Sequence, residues 1–146
     1  MAMTNTQFAV GVHVLTLLAG SAPESLSSEE MAGSANANPV HVRRVLGRFR
    51  AAGLVASKPG VGGGSHLVKD PATITLADVW RILHADGHVI GLHGAHPDCP
   101  VGQSIQALLG EIDRGAQRAL EDELVTTTIA QLADRAVAHG DLRAVA

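Results

Sequence analysis

The stretch SSEEMAGSANANPVHVRRVLGRFRAAGLVASKPGVGGGSHLVK, residues 27–69, decides the fold. Ser27 followed three residues later by Glu30 predicts a helix start, because the two residues can each bind the other's backbone N–H in a capping box. The small, polar run 33–37 can form a turn. Asn38 suits the N-cap of a second helix and Pro39 its first position, where a missing N–H costs nothing. We therefore predict a helix-turn-helix.

The second helix leads into a hairpin. Its apolar residues recur at helical spacing and predict the buried stripe Val42, Val45, Leu46 and Phe49. Gly53 can end the helix in the left-handed conformation. Residues 54–57 can form a strand, 59–64 a glycine-rich tip, and 65–68 a returning strand. The pattern predicts a winged helix-turn-helix.

The charge of this stretch indicates its partner. Between Asn36 and Lys69 there are four Arg and two Lys but no Asp or Glu, so the segment carries +6. The whole chain has 11 basic and 14 acidic residues, which leaves five basic and 14 acidic residues outside this segment. A positive module on a negative protein favours binding of a polyanion at one place.

A helix-turn-helix places its second helix in the DNA major groove, and a glycine-rich hairpin can reach phosphates or the minor groove. We expect base contacts from Asn38, Val40, His41 and Arg44, and mostly phosphate contacts from Arg43, Arg48, Arg50 and Lys58. His66 or Lys58 is the candidate for minor-groove entry. The predicted DNA-binding residues are Ser27, Asn38, Val40, His41, Arg43, Arg44, Arg48, Lys58, Gly62, Gly63, Gly64 and His66.

The run AGLVASKPGVGGGSHLVKDPATITLADVWRIL, residues 52–83, resembles the wing and following helix of the Rrf-two (Rrf2) family of winged-helix regulators. The resemblance extends over nearly the whole chain and implies a homodimeric repressor that binds a partly palindromic operator. One departure is Ser65–His66, where many members carry an aromatic residue after the double glycine. The larger departure is in the number of cysteines.

The composition of the chain bounds its number of domains, its type of core and its cellular location. The 146 residues are 46% hydrophobic, with Phe8, Phe49 and Trp80 as the only aromatics, so we expect one domain with an aliphatic core. No apolar run approaches the roughly 20 residues of a membrane span, and the N-terminus lacks signal-peptide features. A single cysteine excludes an intrachain disulfide framework. These features predict a cytoplasmic protein.

The rest of the chain predicts helices around a loop. We expect apolar and capped helices over 7–19, 76–84 and 129–138, and a longer helix from Val101. Its apolar stripe is too long for one small domain to cover, so we predict a dimer interface formed by Ile105, Leu108, Leu109, Ile112, Ala116 and Leu120. The predicted divisions are a mainly α winged-helix domain with a small β-hairpin over 1–83, a sensor-type loop over 84–103 and dimerisation helices over 104–146, with a fraying tail from Gly140.

The loop collects the cysteine and several histidines. Cluster-binding relatives carry three cysteines in this loop, whereas this chain has only Cys99, and a cluster normally takes four ligands, mostly thiolates. We therefore expect no iron–sulfur cluster and no other cofactor. The candidates for another metal site are His88, His93, His96 and Cys99, without a recognised spacing. A thiol switch at Cys99 and an inert loop remain open.

The sequence thus predicts a homodimeric transcription regulator that binds double-stranded DNA, with redox sensing through Cys99. A metal- or iron–sulfur-responsive regulator using the His/Cys loop is the alternative. A small metal-dependent enzyme is disfavoured, because the chain has no paired nucleophile and base, no HExxH helix and no phosphate-binding loop that opens a helix. A redox or metal adaptor would not need the acid-free basic segment.

Overall fold

Helices make up most of the fold, with one antiparallel hairpin in the middle of the chain. The computed structural model describes residues 3–85 and 87–139. The predicted mainly α fold with a β-hairpin and a long C-terminal helix is confirmed. In chain order the elements are α1 (Met3–Ser21), α2 (Ser28–Ala35), α3 (Pro39–Ala51), β1 (Val55–Lys58), β2 (Gly64–Leu67), a 3-10 turn (Pro71–Thr73), α4 (Leu76–Leu83), α5 (Pro100–Leu124) and α6 (Ile129–His139).

The helix-turn-helix forms through the predicted caps. Ser27 Oγ accepts from the Glu30 N–H at 3.1 Å, and the Glu30 carboxylate accepts from the Ser27 N–H at 2.7 Å. Asn38 Oδ1 accepts from the Val40 N–H at 2.9 Å, with Pro39 at the start of α3. Gly53 follows α3 with a φ of +79°. Since these side chains satisfy helix-end donors, the local sequence alone fixes where α2 and α3 begin.

The wing is a two-stranded hairpin held against the start of α2. Val55 pairs with Leu67 at its base and Lys58 with Gly64 at its tip. Leu26 and Ser65 exchange backbone hydrogen bonds of 3.0 and 2.8 Å. Gly64 has a φ of +148°, and a Cβ there would overlap the Leu26 carbonyl. The last wing glycine is therefore required by a close approach of two backbone segments.

The core surrounds α1. Its residues Val14, Leu15 and Leu18 are buried with Phe49 of α3, and α1 contacts α2, α3, α4, α6 and β2. Trp80 of α4 packs edge-on against Phe8, with ring centroids 5.5 Å apart. The prediction that α1 packs against more than one partner is confirmed, and so is a packing role for Trp80.

The C-terminal helices return to this body. Thr75 and Thr128 form an isolated β-bridge, the Leu76 N–H donates to the Thr127 carbonyl, and the Ile129 N–H donates to the Ile74 carbonyl, each at 2.9 Å. Helix α6 then packs on α1 and on the 3-10 turn. The division at residue 104 remains a prediction, and the tail from Gly140 lies outside the described residues. Within the described ranges, no helix combines the length and apolar character needed to cross a membrane.

Candidate nucleic-acid interface

The exposed side of α3 carries the strongest DNA-binding candidates. At about 100° per residue, Val40, Arg44 and Gly47 lie on the side opposite the buried stripe. Val40 is 53% exposed, although it is apolar and stands at the start of the helix. Arg44 is also exposed. An exposed valine next to an exposed arginine suits contact with a thymine methyl and a guanine edge, respectively.

Two arginines at the edge of this face have partners on neighbouring elements. Arg43 Nη1 lies 3.1 Å from Glu29 Oε1 of α2, and both side chains are largely exposed. Arg50 Nη1 donates to Ser57 Oγ of β1 at 3.2 Å. These exposed contacts exchange readily with water, because an exposed ion pair contributes little net energy. Both guanidinium groups therefore remain available for phosphate contacts.

Arg48 differs from these two arginines because it binds a backbone carbonyl of another helix. Its Nη1 donates to the Leu83 carbonyl at 2.7 Å, in a partly buried position. The bond joins the C-terminal half of α3 to the last residue of α4, where the carbonyl lacks a helical partner. The phosphate contact predicted for Arg48 remains a prediction. In the free protein this side chain connects α3 to the start of the loop that follows α4.

Ser27, Asn38 and His41 are held by the helix-turn-helix itself. The first two use their side-chain oxygens as caps. His41 Nε2 is buried and has no hydrogen-bond partner among the described residues. It borders a cavity of about 360 Å³ between α1 and the α2–α3 turn. These residues position the start of α3, and their predicted contacts with DNA remain predictions.

The wing presents a basic and glycine-rich tip. Lys58 and Gly62 are exposed, and Val61 between them is fully exposed. Gly63 is partly covered, and the Lys58 carbonyl lies so close that a Cβ on Gly63 would overlap it. His66 stands at the base of the wing, with Nδ1 3.5 Å from Ser25 Oγ. Lys58 is therefore better placed than His66 to reach a groove beside the one that α3 enters.

The His/Cys loop is anchored at its end by its cysteine. Cys99 is exposed and forms the N-cap of α5, with Sγ accepting from the Gly102 N–H at 3.3 Å. His96 Nδ1 accepts from the Asp98 N–H at 3.2 Å. Oxidation of Cys99 would alter the sulfur that caps a 25-residue helix. Such oxidation would therefore change the N-terminal end of α5.

The loop does not bring its metal-ligand candidates together. In residues 3–85 and 87–139, no group of three or more His, Cys, Asp or Glu side chains is arranged to hold a metal ion. His88 instead contacts Asp113, and the one thiol is a helix cap. An iron–sulfur cluster normally takes four ligands, mostly thiolates. The residues present do not fit an iron–sulfur cluster.

Helix α5 has two distinct sides. Its exposed apolar stripe includes Val101, Ile105, Leu108 and Ile112, which are 45–67% exposed. A polar stripe lies more than 100° away around the helix and holds the loop and α4. Its members are Gln106, Asp113, Gln117 and Glu121. The predicted interface residues Leu109, Ala116 and Leu120 are partly covered and flank the apolar stripe.

Asp113 is the important residue that the sequence analysis missed. It is 1% exposed and accepts from the Val89 and Ile90 N–H groups at 2.8 and 2.7 Å. Its other oxygen contacts Gln117 Nε2 and His88 Nδ1, each at 2.7 Å. Hydrogen bonds from Ile90, His88, Val89 and Gln117 outweigh burial and hold the pKa of this carboxyl well below its usual range. The spacing of Asp113, Gln117 and Glu121 by four residues was the available signal.

Together, the capped helix-turn-helix, the wing and the basic exposed side of α3 define a winged helix-turn-helix DNA-binding protein. Residues 4–135 match the model of the Rrf2 family, described as an iron-dependent transcriptional regulator. The chain is 41% identical over 128 residues to YwnA of Bacillus subtilis (strain 168), a protein named as an HTH-type transcriptional regulator. That match covers 87% of this chain and 94% of YwnA. The chain therefore belongs to the Rrf2 family of DNA-binding transcriptional regulators, and the prediction that it is not an enzyme is confirmed.

Solved structures share the fold. A crystal structure of a protein described as DNA-binding has 37% sequence identity and a TM-score of 0.67, covering 86% of this chain and 97% of that one. CymR of B. subtilis, described as its global cysteine regulator, has 23% identity and a TM-score of 0.63, covering 88% and 94%. The CymR likeness extends the shared fold to a more distant sequence.

Proposed function

We propose that this regulator is a homodimeric repressor that binds two half-sites of a partly palindromic operator in the cytoplasm. The observation that carries the DNA-binding mode is the exposed side of α3, where Val40 and Arg44 stand opposite the core and Arg43 and Arg50 flank them. Lys58 of the wing follows Ser57, whose hydroxyl accepts from Arg50, and this supports its inclusion in the proposed surface. We assign base contacts to the start of α3 and phosphate contacts to the surrounding arginines and the wing.

The proposal of a dimer rests on α5. Four apolar side chains between Val101 and Ile112 are at least 45% exposed on one side of this helix. A contiguous apolar patch of this kind is unfavourable in water and typical of an interaction surface. A second copy offers the same stripe, so two α5 helices can cover each other around a two-fold axis. Two-fold symmetry would give half-sites about 10 bp apart, or a multiple of that separation.

Repression follows from the family resemblance together with operator binding, because a bound dimer can exclude polymerase from a promoter. The test is selection of bound sequences from a random duplex library by purified protein, followed by transcription in vitro from a promoter that contains the selected operator. We expect a palindromic consensus and less transcript with increasing protein. An unchanged or increased transcript level would contradict repression.

We also propose that oxidation of Cys99 changes operator affinity. Cys99 is exposed and its sulfur caps α5, the helix assigned to dimerisation, so oxidation would act directly at that helix end. Hydrogen peroxide should shift the operator Kd of the unaltered protein and leave that of Cys99→Ser unchanged. A serine hydroxyl can still cap the helix, so the variant keeps the structure and removes only the thiol. A full peroxide response in Cys99→Ser would contradict the assignment.

A further inference from the structure

The starting observation is a buried acid on an exposed helix. Asp113 is the one residue of α5 that is fully buried, whereas the apolar side chains of Val101, Ile105, Leu108 and Ile112 are exposed. A carboxylate is seldom buried without a specific set of donors. The burial of this carboxylate therefore depends on the segment whose N–H groups it accepts from.

That segment is the first part of the loop after α4. One carboxylate oxygen accepts from two consecutive backbone N–H groups, those of Val89 and Ile90. Gly87 makes the preceding turn with a φ of +70°, next to the side chain of Gln117. Gln117 also donates to Asp113. The loop is thus fastened to the middle of α5 by hydrogen bonds that only a well-placed acceptor can make.

Helix α5 packs on α4 and is also held by hydrogen bonds at two places along its length. The first is the bridge between Thr75 and Thr128, just beyond the C-terminal end of α5. The second is Asp113, which binds the loop that leaves the end of α4 and lies roughly 16 Å along the helix from Leu124 at 1.5 Å per residue. The ion pair between Arg81 and Glu121 lies between them, and both of its side chains are substantially exposed. One attachment alone permits α5 to pivot, whereas two fix its direction.

The direction of α5 determines where its exposed apolar stripe lies, because this stripe occupies the N-terminal half of the helix, away from the Thr75–Thr128 bridge. A 25-residue helix is about 37 Å long, so a tilt of about 10° moves its N-terminal end by roughly 6 Å. That distance approaches two base pairs at about 3.4 Å each. If the interface between two copies lies on this stripe, a change in tilt changes the distance between the two recognition helices by a comparable amount.

We infer that Asp113 determines which half-site spacing the dimer accepts, by fixing the direction of α5 relative to the winged-helix body. This inference rests on the proposed dimer and its two half-sites. Asp113 is a positioning residue, because it acts through α5 and touches no DNA in this arrangement. The loop that Asp113 binds begins at the end of α4, where Arg48 of α3 donates to the Leu83 carbonyl.

The test compares three duplexes: the selected operator, the same operator with its spacer lengthened by two base pairs, and a single half-site. The Kd for each duplex is measured by fluorescence anisotropy for the unaltered protein, for Asp113→Asn, for Gly87→Ala and for the control Asp122→Asn. The control removes the same charge from an exposed position on the same helix. Gly87→Ala disturbs the same turn from the loop side, because its φ disfavours a side chain.

The unaltered protein should discriminate strongly against the lengthened spacer. Asp113→Asn should reduce that discrimination by about tenfold and leave single half-site affinity unchanged, and Gly87→Ala should do the same to a smaller extent. Asp122→Asn should behave like the unaltered protein. Loss of all three affinities together, or unchanged discrimination while the Val89 and Ile90 amides exchange faster, would overturn the inference. If Asp113→Asn does not fold, Gly87→Ala decides the outcome by the same criteria.

The same binding measurements distinguish a failure of the proposed function from a failure of the role of Asp113. If the unaltered protein binds a single half-site as tightly as the operator, the two-half-site proposal fails and the spacing role fails with it. If the unaltered protein discriminates spacing and Asp113→Asn discriminates equally well with faster amide exchange, only the role of Asp113 is wrong.

Discussion

At the residue scale, Arg44 carries the clearest prediction about specificity. It lies opposite the buried stripe of α3 and is exposed, so its guanidinium can reach a base edge without rearrangement of the core. Arg44→Ala should weaken operator binding by about 1–3 kcal/mol, the range for a good bidentate base contact. Competition titrations with operator and random duplex measure the effect on each. An equal loss on both duplexes would assign Arg44 to phosphate instead.

Asp113 gives a prediction about acid stability. The Ile90 N–H and the other donors hold its folded pKa well below the ordinary value of 3.8. The folded state therefore favours the carboxylate, and this contribution is present above about pH 5 and is lost as the pH falls through 3.8 and below. Urea midpoints of Asp113→Asn should fall less between about pH 5 and pH 3 than those of the unaltered protein. An identical fall in both proteins would contradict the predicted linkage.

The caps were predictable residue by residue, because each depends on a few neighbouring positions. Ser27 with Glu30 and Asn38 with Pro39 both form as the sequence patterns indicate. Asp113 and the Arg48 contact at Leu83 were not predictable in this way. Gln117 is four residues from Asp113, but the loop partners of Asp113 and the partner of Arg48 lie 23 or more residues away in the chain. No local spacing identifies a loop N–H or a helix-end carbonyl as a partner.

At the element scale, the exposed stripe of α5 predicts assembly. Leu108→Lys places a charge in the middle of this stripe, where burial against a second copy would remove it from water. We expect the variant to be a monomer at micromolar concentration by light scattering. Ala107→Lys is the matched control, because Ala107 is exposed on a different side of α5. Dimers of Leu108→Lys as stable as those of the control would place the interface elsewhere.

The elements themselves were largely predictable from periodicity and turn residues. The strands and α3 form within one residue of the expected limits, whereas α1 extends from Met3 to Ser21 beyond the expected 7–19. Its polar first turn carries no apolar signal, so the sequence pattern underestimates it. The sequence also predicted one apolar side for α5. The four-residue spacing of Asp113, Gln117 and Glu121 marks a polar stripe on the same helix, but polar helix residues usually face solvent, so this spacing did not indicate a buried contact.

At the scale of the whole molecule, the charge distribution predicts salt-dependent DNA binding. The segment 36–69 carries six basic residues and no acids on a chain that is otherwise acidic. Each phosphate contact contributes about −0.9 to the slope of log K against log salt. Lys58→Ala should reduce that slope by about one on operator and random duplex alike. An unchanged slope would remove the wing lysine from the set of phosphate contacts.

The fold combines a winged-helix body that packs around an apolar core with a helix, α5, that is held by polar contacts. The winged-helix body is held by an apolar core around α1, which tolerates little displacement. Helix α5 is held by Asp113, the Arg81–Glu121 pair and the Thr75–Thr128 bridge. In the proposed dimer, changes in the loop would alter the distance between the two winged-helix bodies without unfolding either of them.

The most direct test of the central claim is selection from a random duplex library by the purified protein, with Arg44→Ala treated in parallel. The account predicts a consensus with two inverted half-sites from the unaltered protein and a consensus relaxed at one position of each half-site from the variant. Recovery of no enriched sequence at low salt, or of the same unsymmetrical sequence from both proteins, would contradict it.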